Sequence, residues 1–204
     1  MLFRVGDFAA MLAVIRQFPD HKHVIICSKF EGDTNKAYKQ ELGYALHKLL
    51  GALDERVMGF KWHPTTHVKE SGDKVSWSVL SEKDCRKEGG KCFGLYLTQM
   101  PRDKQSDVKS LFNLKKNFGT RNPFMNVIIT NRIEGLSLKT TSFVHLLDAP
   151  VSTKNYYQAI GRAVRFCSHT GMDDRRVRVF EYFATLPKEL QEVYASPEVA
   201  LNRY

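Results

Sequence analysis

Long apolar runs are missing from this chain of 204 residues. None of its hydrophobic stretches approaches the roughly 20 residues that a membrane-spanning helix needs, so no part of it is expected to cross a bilayer. Cysteine is scarce, with four residues and no tight pairing pattern, which points to free thiols in a reducing compartment rather than a disulfide framework. No Gly-x-x-x-x-Gly-Lys-Ser/Thr loop occurs. Gly89-Gly90-Lys91-Cys92 lacks both the upstream glycine and the hydroxyl after the lysine. Nor does an apolar strand end in Asp-Glu: Leu53-Asp54-Glu55 closes a helical pattern, and Asp148 stands alone before Ala149. The chain therefore carries neither a triphosphate cradle nor its magnesium carboxylates. Internal repeats and low-complexity tracts are also missing. The apolar opening MLFRVGDFAAMLAVIRQF is broken by Asp7 and Arg16 at helical spacing, and no small-residue cleavage site follows, so it reads as an amphipathic helix rather than a signal peptide.

What the chain has is positive charge and alternating elements. A net charge of +9 and a pI near 9.4 favour an acidic partner, of which nucleic acid is the commonest for a basic domain. A hydrophobic content of 43% suffices for one large domain over 1–204. A helix over 7–17, ended by Pro19, precedes a strand at His23 to Ser28. A helical pattern runs from Thr34 to about Leu53, with Tyr38, Leu42, Leu46 and Leu49 on one side. The stretch 54–91 breaks into Gly, Pro and charged residues; it is expected to be an irregular insertion, either a hairpin or a partly disordered stretch, in which only Lys74 to Leu80 resembles a strand. Strands are expected at Cys92 to Thr98, Met125 to Thr130, Phe143 to Leu147 and Arg178 to Phe183, with a helix at Asp103 to Asn117 and a final helical segment opened by Pro187. Continuous apolar strands alternating with helices predict an α/β fold whose mainly parallel sheet is covered on both faces. Ligands of such sheets bind beyond the carboxyl ends of the strands. There, Ser28, Thr98 and Thr130 each place a hydroxyl after an apolar run, where it can donate to a phosphate oxygen, with Lys29 and Arg132 as helpers.

His63, His67, Cys85 and Cys92 lie close in sequence, but Cys-x6-Cys is wider than zinc pairs usually are, so no metal site is expected. Cys92 is expected to pack at the start of its strand, and Trp62 and Trp77 to shield a small core of the insertion's own. Ser168-His169 has no acid at triad spacing and is expected to be structural.

The most informative stretch is Gln158-Ala159-Ile160-Gly161-Arg162-Ala163-Val164-Arg165, which follows Pro150 and the N-cap candidates Ser152 and Thr153. On a helix Gln158, Arg162 and Arg165 share one face, and Gly161 allows a close neighbour. Two permanently charged forks and an amide suit phosphate oxygens. Taken alone, the octapeptide is better explained by an amphipathic helix whose arginines sit in water or pair with surface carboxylates. Its context decides otherwise. The octad resembles motif VI of superfamily 2 helicases and translocases, Thr130-Asn131-Arg132-Ile133-Glu134-Gly135-Leu136-Ser137-Leu138 resembles their motif V, and the strand at His23 resembles motif IV. The wording EGLSLKTTSFVHLL followed by QAIGRAVRFCSH looks most like the ATPases and helicases of large nucleocytoplasmic DNA viruses, among them poxvirus nucleoside triphosphatase I, the small subunit of the poxvirus early transcription factor and African swine fever virus helicases.

That resemblance implies a RecA-like three-layer domain, the C-terminal lobe of an ATP-dependent nucleic-acid helicase or translocase working in viral transcription, in virions and the host cytoplasm. It implies Arg162 and Arg165 as arginine fingers toward ATP and Mg2+ held mainly by an N-terminal RecA-like lobe, with Gln158 and Gly161 at the lobe interface. Glu134 and Gly135 would form the loop coupling ATP to nucleic acid, and viral RNA polymerase is a candidate partner. With half of an ATPase site, the isolated chain is expected not to hydrolyse ATP. The alternative is a non-catalytic helicase-like module that binds nucleic acid or polymerase.

Overall fold

The computed structural model describes residues 5–27, 42–71, 74–114, 125–131, 136–147, 153–163, 168–170, 172 and 174–182. The expected final helix after Pro187 lies outside them, as do residues 34–41 at the start of the second expected helix.

The chain opens with α1 (Val5–Gln17) and β1 (Lys22–Ile26), followed by α2 (Leu42–Ala52). The segment 54–91 holds α3 (Glu55–Met58), β2 (Trp62–Pro64), β3 (Thr66–Ser71), β4 (Lys74–Val79) and α4 (Glu82–Glu88). Then come β5 (Lys91–Tyr96), α5 (Arg102–Phe112), β6 (Met125–Thr130), β7 (Thr141–Leu146), α6 (Thr153–Ala163) and β8 (Arg178–Glu181). The runs KCFGLY, MNVIIT and TSFVHL bury every residue. Strands covered on both faces require this, and it is why their sequences show no alternation.

Six strands pair in the order β2-β5-β6-β1-β7-β8, every pair parallel. The α/β class with a mainly parallel sheet is as the sequence predicts. Register assigns the faces, because parallel partners point the same way. Phe93, Val127, His23 and Phe143 align across four strands on one face. Against it lie α2, whose His47 ring is 5.2 Å from that of Phe93, and Phe18 beyond α1, 4.9 Å from Phe143. Gly94, Ile128, Val24 and Val144 align on the other face. There, Val108 of α5 sits over Gly94, and Ala163 of α6 packs with Val144 and Leu146. The chain moves one way across the sheet from β1 to β2 and the other way from β5 to β6 and from β7 to β8. Right-handed crossovers then carry α2 to one face and α5 and α6 to the opposite one.

The described residues of 54–91 form regular elements, among them the β3–β4 hairpin that was one of the two expectations. Asp54 caps α3 by accepting from Val57 N at 3.0 Å, and Gly59 closes it at φ 78°. β2 becomes the sheet's edge strand, while β3 and β4 pair antiparallel from Thr66↔Val79 to Ser71↔Lys74. The partners Val68↔Trp77 and Thr66↔Val79 share the face turned to the core, and Lys69↔Ser76 the face turned to water. Alternation of this kind averages to a polar composition, which is why the stretch looks irregular when read by content alone. Trp62 does not shield a separate small core. Its ring lies 4.9 Å from Phe93, inside the main one, and Trp77 packs on that same core.

Candidate functional site

Since all strands of the large sheet point one way, their carboxyl ends form a single edge. Backbone pairing runs one residue past several strands there, with Cys27 N donating to Thr130 O at 2.9 Å and Tyr182 N to Leu146 O at 3.0 Å. Thr98 stands just beyond β5 and Thr130 is the last residue of β6. Asn131, which the sequence reading passed over, joins them. Its Oδ1 accepts from Thr98 N at 2.9 Å and from Thr98 Oγ1 at 3.2 Å, and its Nδ2 donates to Gln99 Oε1 at 3.4 Å. Behind this bracket Gln105 of α5, 5% exposed, donates through Nε2 to Leu97 O and Met100 O, each at 2.9 Å, and so holds the turn that carries Thr98. Asn131 lies within the stretch resembling motif V and directly follows a hydroxyl residue at a strand end, where an amide can bridge two adjacent strand exits.

Thr130 differs from the expectation of an open hydroxyl. It is 1% exposed, because it still pairs with Ile26 and Tyr96 and the chain leaves the sheet only at Asn131. Thr98 is half-buried, with its hydroxyl proton directed to Asn131. Ser28, Lys29, Arg132, Glu134, Gly135 and Arg165 lie outside the described residues, and Arg162 is described in its backbone alone.

The sequence TKNYYQAIGRA forms α6 with no acidic residue. Ala163 and Tyr156 face the sheet beside Val144, Leu146 and Val179. The Tyr156 hydroxyl hydrogen-bonds the Glu181 carboxylate, which raises its pKa. At about 100° per residue, position 158 lies roughly opposite position 156, on the side away from the sheet. Around that outer side Tyr157 is 68% exposed, and a Cβ added at Gly161 would meet nothing within 4 Å. The close neighbour expected at Gly161 is therefore not supplied by the described residues of this chain.

The end of α6 is tied to the amino edge of the sheet, not to the carboxyl edge. Ser168 Oγ donates to Ala163 O at 3.3 Å, and Thr140 N, just before β7, donates to Ser168 O at 2.8 Å. His169 Nε2 donates to Thr141 O at 2.6 Å, and its Nδ1 lies 2.7 Å from Ser168 Oγ. The Ser168-His169 pair is thus a clamp closing the helix onto β7. The structure brings together Thr98, Thr130 and Asn131, and it sets Gln158 and Gly161 on a separate surface. Among the described residues, no group of three or more His, Cys, Asp or Glu could hold a metal, and Cys92 is buried in β5.

No protein-family model matches the chain. It is 28% identical over 82 residues to a putative ATP-dependent RNA helicase of Acanthamoeba polyphaga mimivirus, a match covering 39% of this chain and 7% of that protein. With a second putative ATP-dependent RNA helicase of the same virus it is 35% identical over 88 residues, 41% of this chain and 15% of that one. The chain thus spans a small part of the length of the curated relatives it matches. Among solved structures, S. cerevisiae Dbp5 bound to RNA and ADP BeF3 aligns with 86% of this chain and 38% of its own, at 16% identity and a TM-score of 0.32. The α/β architecture stands on the strand order itself. The mimivirus matches give the chain homology to putative ATP-dependent RNA helicases over two-fifths of its length.

Proposed function

We propose that this chain is the C-terminal lobe of an ATP-dependent nucleic-acid helicase or translocase, encoded by a large DNA virus and acting in transcription in the host cytoplasm. The observation that carries the reading is the outer side of α6. A helix packed on the sheet through Ala163 leaves Gly161 bare and Tyr157 exposed, with nothing of its own chain described against Gly161. That is the surface a second lobe would cover. The similarity to putative helicases of mimivirus supports the same reading.

In this proposal Arg162 and Arg165 neutralise charge on the phosphates, with Gln158 bridging the lobes. Arginines used in this way are worth about 10³ to 10⁵ in rate. ATP with Mg2+, held mainly by the partner lobe, supplies the free energy of phosphoryl transfer. At the carboxyl edge, Ser28, Lys29, Thr98 and Arg132 grip the backbone of a strand, while Thr130 works from within β6 by positioning the exit to Asn131. Donation from Thr98 to a phosphate requires its proton to leave Asn131 Oδ1, an exchange of one hydrogen bond for a charge-assisted one that is favourable by about 1 kcal/mol. In this reading nucleotide and strand occupy different surfaces of the sheet, and Glu134 and Gly135, which follow β6 in the sequence, couple the two.

The test is hydrolysis by a protein carrying both lobes. Arg165→Ala should lower ATP turnover at least about 10³-fold while nucleic-acid binding stays near the parent value. Unchanged turnover would remove the arginine-finger role.

A further inference from the structure

Two cysteines meet where α4 turns into β5, in a contact that neither the outer side of α6 nor the carboxyl edge of the sheet uses. α4 is a short amphipathic helix. Ser81 caps it by accepting from Asp84 N at 3.2 Å, Glu82 pairs with Arg86 at 2.8 Å, and Cys85 is its one buried residue. Gly89 and Gly90, at φ 68° and 76°, then reverse the chain into β5. Only glycine fits the second of these positions, where an added Cβ would lie 2.4 Å from Lys61 O. Lys61 fastens both sides of the turn, its Nζ donating to Glu88 O at 2.7 Å and its carbonyl accepting from Lys91 N at 2.8 Å. Held this way, Cys85 faces Cys92, the second residue of β5, and the two thiols share a hydrogen bond. Both are free thiols, buried in the main core.

A thiol is a poor donor and a poor acceptor, so this hydrogen bond adds little that two small apolar side chains would not supply by packing. What two thiols add is the capacity to join. Donation from Cys92 lowers the pKa of Cys85, and Cys92, as the donor, has its own raised. Cys85 is the thiol that ionises first, and Cys92 is left to resolve what forms on it. Access comes from α4 itself. Seven residues held by a single buried side chain open locally without disturbing the sheet. Closing returns Cys85 to Cys92.

We propose that Cys85 and Cys92 are a redox pair, which a peroxide converts into a disulfide that staples α4 to β5. In the opened helix the Cys85 thiolate attacks the O–O bond of the peroxide, which leaves a sulfenic acid on Sγ and, with the proton the thiol has lost, releases one water from hydrogen peroxide. On closing, the Cys92 sulfur attacks that Sγ, the S–S bond forms, and the sulfenic hydroxyl leaves with the Cys92 proton as a second water. The two thiols lose two electrons and two protons, and the peroxide is reduced. A dithiol reverses the step by exchange. Cys27 stands beyond the carboxyl end of β1 and Cys92 at the amino end of β5, on opposite edges of a parallel sheet, so Cys27 is an internal control. The pair does not rest on the helicase reading.

The experiment treats the folded whole chain with hydrogen peroxide, alkylates the remaining thiols and maps tryptic peptides by mass. Expected is residues 84–86 joined to residues 92–102, lighter by two hydrogens than the separate peptides, with Cys27 still alkylated and the link undone by dithiothreitol. Amide hydrogen exchange in α4 should slow at least about tenfold on oxidation, because the stapled helix no longer lifts. Cys85→Ala should leave Cys92 fully alkylated after the same treatment, and Cys92→Ala should leave a sulfenic acid at Cys85 that dimedone captures. The parent protein carries the test if either variant fails to fold. The proposal is overturned if both thiols survive a peroxide exposure that oxidises the urea-unfolded chain, or if either joins a different cysteine. Unchanged exchange in α4, or oxidation of Cys92 in Cys85→Ala, would overturn it too.

Discussion

His23 and His145, on neighbouring strands, face each other with Nδ1 of the first 3.1 Å from Nε2 of the second, their rings stacked at 5.4 Å and both completely buried. One proton arrangement satisfies the group. Phe18 O can only accept, so His23 Nε2, at 3.0 Å, carries a hydrogen. His23 Nδ1 then accepts from His145 Nε2, and His145 Nδ1 accepts from the Tyr182 hydroxyl at 2.8 Å. Both rings are neutral in this arrangement, and burial disfavours a further proton on either.

Acid should therefore destabilise the fold through these rings. Unfolded, each imidazole titrates near 6.5; folded, burial holds His23 at about 4 and His145 well below its usual value. Below pH 6.5 the unfolded chain takes up protons that the folded chain refuses. The stabilisation is full above 6.5 and is lost as pH falls toward 4, by about 3 kcal/mol for His23 alone. Lys22, lowered to about 7 by burial, extends the rise of stability from neutral pH upward, because the unfolded chain keeps its proton longer. Urea unfolding at pH 5 and 7 measures the acid limb, and equal stability at the two would contradict it.

Tyr182→Phe should cost about 1–3 kcal/mol by leaving His145 Nδ1 without a donor. The same chemical denaturation reads it. A silent substitution would mean that the hydroxyl contributes nothing to the buried chain of hydrogen bonds.

Two glycines should respond in opposite directions. A Cβ at Gly94 would lie 2.4 Å from Met125 Cε, 2.9 Å from Thr65 Oγ1 and 3.1 Å from Val108 Cγ1, so Gly94→Ala should cost about 1–3 kcal/mol as α5 is pushed off the sheet. Gly161→Ala meets open space in an exposed helix and should raise stability by about 0.5–1 kcal/mol. If a second lobe closes on that surface, the same substitution lowers ATP turnover in the two-lobe protein. Thermal melts of the single chain and turnover of the longer one separate these effects.

Asn131→Asp keeps the oxygen that accepts from Thr98 N and Oγ1, and so keeps the edge folded. It adds a negative charge where a phosphate would pass. Melting temperature should stay near the parent value while affinity for single-stranded nucleic acid falls about tenfold, the worth of one charge-assisted contact. Unaltered affinity would place the strand elsewhere.

Much of this architecture is legible from residue order. The largely apolar runs at 125–130 and 143–147, rich in Val and Ile or aromatic residues and too short for helices, read as strands covered on both sides, and β6 spans the limits expected of it. The octad 158–165 declared a helix, and its described residues 158–163 lie in α6, with Val164 and Arg165 outside the described residues. Chemistry at a distance was harder to see. Asn131 belongs to the edge because β5 and β6 are neighbours, a fact set by strand order and not by anything near position 131.

The sequence by itself determined which segments are buried and which period they follow, because burial on two faces, on one face or on none leaves a different pattern of apolar residues along the chain. Tertiary structure decided which polar groups meet. The pairing of His23 with His145 and the closure of Thr130 depend on register and on the faces to which crossovers carry the helices. Those are properties of the packed sheet as a whole, and no local stretch of the chain encodes them.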